Sequence, residues 1–173
     1  MKTRIIVSIL LVLAIASVAQ AASQKDLQAF IGTWSCTGIA FASEMGPEHP
    51  TSATVTGRWT LGGKWLLMRY TEVKTSKNPK PFDVAGYWMY DDAQNKFIAV
   101  SADNMGGYAT TESDSGWSGD EFVFTGSGHM GTMVMNGRDV FTRSGKSTIK
   151  HRFEMQDPSG NWKKLDEETC KKQ

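Results

Sequence analysis

The sequence predicts an all-β protein: a closed antiparallel up-and-down barrel of about eight to ten strands, preceded by a short N-terminal helix. Two observations carry the expectation. Short runs rich in β-branched and aromatic residues recur along the chain, with turn signals between them at fairly even spacing. No window beyond Gly32 sustains a long helical period.

The N-terminus comes first. Lys2 and Arg4 precede an apolar run over residues 5–16, broken only by Ser8, and Ala19-Gln20-Ala21 supplies a small-residue cleavage pattern. Residues 1–21 therefore read as a secretory signal peptide cut after Ala21, and the expected destination is secreted or periplasmic. The apolar run is short of the roughly 20 residues a spanning helix needs, and no later stretch is long and apolar enough. No cysteine directly follows the cleavage point, so a lipid anchor is not indicated.

Residues 22–173 are the right size for a single domain with one core. The whole chain carries a formal charge of +1, and losing Lys2 and Arg4 but no acid leaves −1. Nearly balanced, interspersed charge gives no electrostatic reason to expect nucleic acid or an anionic membrane as partner.

Within that domain, Ser23-Gln24-Lys25-Asp26 has the form of a helix start, and Leu27, Phe30 and Ile31 follow at i, i+3 and i+4. One or two turns are expected, ending at Gly32. Strands are expected over residues 33–41, 53–61, 64–74, 84–90, 96–102, 107–112, 121–125, 132–135, 138–143, 147–156 and 162–167. Among the turn signals, Asn136-Gly137 is the best short hairpin pattern in the chain. An open sheet of so many short runs would leave exposed edges, and closure into a barrel removes them.

Cys36 and Cys170 are the only cysteines, and in an exported chain a disulfide between them is the default expectation. Neither sits in a C-x-x-C pair or beside an activating residue.

The order of several segments is more specific than composition. A short helix runs into Gly32-Thr33-Trp34; Gly57-Arg58-Trp59 leads to Leu61-Gly62-Gly63-Lys64-Trp65-Leu66-Leu67-Met68-Arg69-Tyr70. Gly86-Tyr87-Trp88-Met89-Tyr90-Asp91, Lys96-Phe97-Ile98 and Asp103-Asn104-Met105-Gly106 follow. This series resembles the bacterial family catalogued as domain of unknown function 1579, a calycin-like barrel. The resemblance covers most of residues 22–173 and implies the fold, with Trp34 packing the closed end as in the G-x-W segment of calycins. It implies no chemistry. The T-D-Y segment of true lipocalins is missing, so no particular lipocalin ligand follows.

Catalysis finds little support in the residues. The chain has no G-x-S-x-G, H-E-x-x-H or Walker A segment, and no G-x-G-x-x-G between a strand and a helix. Asp91-Asp92 and Asp103-Asn104 fall at turns, where such residues bond the local backbone. No catalytic residue is expected.

Three histidines remain: His49, His129 and His151. Alternation in "STIKHRFEM" puts Ile149, His151, Phe153 and Met155 on one face and Lys150, Arg152 and Glu154 on the other, so His151 should point inward. The expectation is a core histidine satisfied by a buried polar partner. The alternative is haem ligation, since imidazole suits iron and the nitrobindin-like barrels this fold resembles bind haem through a late histidine. In "GHMGTMVMNG" alternation places His129, Met133 and Met135 on one face, a set that suits Cu(I); a Met-lined hairpin wall is the simpler reading.

Aromatic residues on the strands point to a pocket, with Tyr70, Trp88, Phe124, His151 and Phe153 as its expected lining. Arg69 would hold a ligand carboxylate if turned inward and would be a solvated charge if turned outward. The expected function is therefore non-catalytic binding of a small, largely apolar molecule inside the barrel, without a cofactor. The alternatives are a haem or copper redox protein and an interaction scaffold.

Overall fold

A computed structural model describes residues 22–173; the segment read as a signal peptide lies outside them. Eleven strands follow in chain order: β1 (Gly32–Ala40), β2 (His49–Thr60), β3 (Trp65–Glu72), β4 (Asp83–Asp91), β5 (Lys96–Asp103), β6 (Tyr108–Ser113), β7 (Trp117–Ser118), β8 (Glu121–Met130), β9 (Met133–Arg143), β10 (Thr148–Gln156) and β11 (Trp162–Lys172). All pairings are antiparallel. The sheet runs β6-β5-β4-β3-β2-β1-β11-β10-β9-β8, and pairing of β6 with β8 closes it into a ten-stranded barrel. The two-residue β7 is an extra strand that pairs with β8 alone.

The N-terminal helix differs from expectation. Gln24–Phe30 is a 3-10 helix, and Ile31 is already extended. In this tighter helix residues i and i+3 eclipse, so Leu27 and Phe30 line up on the buried side. Its start is the one anticipated, with the Ser23 backbone N–H donating to Asp26 Oδ2 at 2.9 Å. Two tryptophans tie it down: Trp34 Nε1 donates to Phe30 O at 3.2 Å, and Trp117 Nε1 to Asp26 O at 2.9 Å. Gly57 of β2 admits the helix end closely, because a Cβ there would lie 2.2 Å from Phe30 O.

The β8–β9 hairpin corrects the sequence reading. Asn136 and Gly137 lie inside β9, opposite Ser127 and Gly126, and the turn is Gly131-Thr132 between paired Met130 and Met133. Gly131 takes a φ of +59°, which glycine adopts without strain. Gly137 is there for a different reason: a Cβ on it would meet the Phe153 ring at 2.9 Å. The expected strands over 132–135 and 138–143 are thus one, and β7 was not anticipated.

Cys36 and Cys170 face each other across β1 and β11 and are joined by a disulfide. With 134 residues of separation, the link is worth about 5 kcal/mol by loop-closure entropy. Outside, Arg152 pairs with Glu121 and Glu154, and Arg138 with Glu154, as the charged alternation of β10 implies. No helix among the described residues is long and apolar enough to cross a membrane.

Candidate functional site

The barrel is filled at one end and open at the other. Phe30 enters from the 3-10 helix and meets four rings, Trp88, Trp117, Phe122 and Phe141, at centroid separations of 5.1 to 5.7 Å. Phe97, Phe122, Phe124 and Leu66 are fully buried around it. Trp34, 4% exposed, closes this floor.

Above the floor lies a cavity of about 840 Å³, bordered by Tyr70, Trp88, Phe124, His151 and Phe153, all five of the expected lining residues. Such a volume is in the range of small-molecule sites.

The upper wall is polar, and much of it was not anticipated. His151 lies over Phe141, with ring centroids 4.8 Å apart. Its Nε2 faces Asp139 Oδ1 at 2.9 Å and its Nδ1 faces Asp166 Oδ1 at 3.7 Å. Tyr70 donates its hydroxyl to Glu168 Oε1 at 2.9 Å. Further round, His49 Nε2 faces Glu72 Oε1 at 3.6 Å, and Glu72 Oε2 accepts the Phe82 backbone N–H at 2.9 Å. Glu72 and Glu168 are both buried.

A register shift on β11 builds this wall. Pairing with β10 passes from Phe153–Asp166 to Glu154–Lys164, leaving Leu165 as the extra residue of a β-bulge. Leu165 and Asp166 consequently both border the cavity, and Asp166 Oδ1 accepts the Phe153 N–H at 3.1 Å. Counting back in twos from Cys170 places Glu168 and Asp166 on the disulfide's face, so the sequence held a signal for them. The acidic look of "LDEET" hid it.

The ionisation of these groups follows from their crowding. Burial opposes a charge on His151, but the Asp139 hydrogen bond and the charges of Asp166, Asp139 and Glu168 outweigh it and raise its pKa to about 9. Burial raises Asp166 to about 6 against the pull of His151, with Glu168 and Asp139 adding to the rise. Burial and the neighbouring Glu168 carboxylate also push the Tyr70 hydroxyl upward.

His151 therefore matches the expectation of a core histidine held by polar partners. Iron ligation through His151 would compete with these contacts. Iron needs a lone pair on a neutral imidazole nitrogen, whereas both nitrogens here face carboxylates that favour the protonated ring. The Cu(I) set is not brought onto one face: His129 pairs with Val134 across the β8–β9 hairpin, so Met133 and Met135, its neighbours in sequence, fall on the opposite face. His129 instead stacks on Tyr108 at 4.6 Å.

Arg69 is the solvated charge of its two readings, with Nε and Nη2 donating to Asp83 at 3.1 and 2.6 Å. Asp91 and Asp103 accept turn N–H groups from Ala93 and Gln94 and from Met105 and Gly107.

Comparison with known proteins agrees with this architecture. The family described as protein of unknown function (DUF1579) matches residues 20–172. The chain belongs to the DUF1579 family. Among solved structures, this DUF1579 barrel is similar to the crystal structure of Rv2717c from M. tuberculosis, with a TM-score of 0.64 and 13% identity. The match covers 86% of this chain and 97% of that one. At that identity the likeness shows the barrel fold alone. No curated protein matches the chain.

Proposed function

We propose that this DUF1579 protein is an exported, calycin-like binding barrel that holds a small, largely apolar molecule in its lumen, without catalysis and without a cofactor. The observation that carries the reading is the cavity of about 840 Å³ over an aromatic floor, where a structural barrel of this size would be packed with side chains. Export is supported by the Cys36–Cys170 disulfide, a bond that persists in oxidising compartments, and by the apolar N-terminal run. The absence of catalysis is supported by His151, whose hydrogen-bond partner is a carboxylate instead of a hydroxyl or thiol to be activated.

The test is native mass spectrometry of protein purified from its own host, paired with titration of the neutral fluorophore N-phenyl-1-naphthylamine. A retained small organic molecule and saturable fluorescence enhancement are expected. Ser101→Trp, which places an indole in the lumen, should abolish the enhancement while leaving the circular dichroism spectrum unchanged. Enhancement that survives in Ser101→Trp would place the probe elsewhere and count against the lumen.

A further inference from the structure

The lumen carries carboxyl groups in excess of the cations that could balance them. Asp139, Asp166 and Glu168 surround a single imidazole, His151. Each carboxyl group has one oxygen engaged: Asp139 Oδ1 by His151, Asp166 Oδ1 by the Phe153 N–H, and Glu168 Oε1 by the Tyr70 hydroxyl. Among the described residues, no hydrogen bond reaches Asp139 Oδ2, Asp166 Oδ2 or Glu168 Oε2. Glu168 is only 5% exposed as a residue, and its second oxygen has no protein partner among the described residues.

Basic side chains do not relieve the excess. Of the lysines and arginines bordering the cavity, Arg69 is spent on Asp83, and Lys77 and Lys80 are exposed on the loop between β3 and β4. His49 is matched with Glu72. One buried side-chain atom among the described residues does lack a partner: Thr51 Oγ1, on a residue that borders the same cavity.

We infer that the ligand is an amphipathic amine, whose ammonium group sits among Asp139, Asp166 and Glu168 and whose apolar body lies on Trp88, Phe124 and Phe141. This rests on the lumen-binding reading and narrows it to one ligand class. An ammonium has N–H donors for the open carboxylate oxygens and a charge opposite to theirs. A fatty acid would bring a fourth carboxylate into the same enclosed space, where like charges are costly. A long-chain alcohol offers a donor but no charge.

The experiment compares dodecylamine, dodecanol and dodecanoate, each below its micelle concentration, as displacers of N-phenyl-1-naphthylamine from the disulfide-intact protein at neutral pH. Dodecylamine is expected to displace at a concentration lower by about tenfold than dodecanol, the worth of one hydrogen bond to a charged group, with dodecanoate weakest. Dodecanoate or dodecanol equal to or better than the amine overturns the inference but leaves lumen binding standing. Failure of the fluorophore and all three displacers to bind sinks the lumen-binding reading itself. Glu168→Gln should remove most of the amine's advantage over the alcohol and leave dodecanol displacement nearly unchanged. Should that variant fail to fold, Asp166→Asn makes the same comparison, and an undiminished amine preference in a folded variant overturns the assignment of the head group.

Discussion

The floor and the upper lumen of this barrel are built from the same strands but obey different rules. At the floor, Phe30, Phe97, Phe122 and Phe124 lie among other rings, and the indole N–H groups of Trp34 and Trp117 are paired with backbone carbonyls. A few residues further along the same strands, β9 offers Asp139 instead of Phe141, β3 offers Tyr70 and Glu72 instead of Leu66, and β11 offers Asp166 and Glu168. The first region holds the fold together by apolar burial. The second keeps charges in an enclosed space, an arrangement that contributes little to stability and suits recognition. A barrel can separate the two because its strands pass continuously from one end to the other, so stability gained at the floor supports a destabilising wall above.

The sharpest way to break this comparison is to remove a ring from each region. Phe122→Ala, at a fully buried position between Phe30, Phe97, Trp117 and Phe124, should cost about 3–5 kcal/mol in urea unfolding. Phe153→Ala, whose ring borders space that is already open, should cost less than about 2 kcal/mol. Equal losses would mean that the upper lumen is packed as the floor is.

A smaller effect comes from His151. Its pKa is about 9 in the folded protein and about 6.5 in an unfolded chain, so its contribution is fully present below pH 6.5 and is lost as pH rises through 9. Stability should fall by on the order of 2 kcal/mol across that window. The groups facing His151 are Asp139 of β9 and Asp166 and Glu168 of β11, with Tyr70 of β3 bonded to Glu168. His151→Asn should flatten the slope; an unchanged pH dependence of the urea midpoint would remove His151 as its source.

The smallest effect is expected outside the barrel. Arg69→Ala breaks an exposed ion pair with Asp83 and should leave both the unfolding midpoint and N-phenyl-1-naphthylamine binding within experimental scatter. A loss of probe binding would show that Arg69 acts on the lumen after all.

What could be read in advance divides along the same line. The lining residues Tyr70, Trp88, Phe124 and Phe153 were legible because each is a large ring on an alternating strand, and alternation is a local property. Asp139, Asp166 and Glu168 were not, because an acidic residue on a strand is ordinarily solvent-facing and no local pattern announces a hollow barrel. Asn136-Gly137 misled for a related reason. The pair satisfies the chemistry of a two-residue turn, but pairing with β8 and β10 keeps it extended and uses the missing side chain of Gly137 to seat Phe153.

By itself, the amino-acid sequence determined that the chain is all-β, that it closes into a barrel, that Cys36 meets Cys170 and that His151 faces inward. Each of these follows from period, spacing or residue type along the chain. Only the tertiary structure decided that the barrel is hollow above its floor, that a bulge turns Leu165 onto the lumen beside Asp166, and that three carboxyl groups share one histidine. Those depend on strand register and on how ten strands fill a circle, quantities set by pairings between residues far apart in the chain.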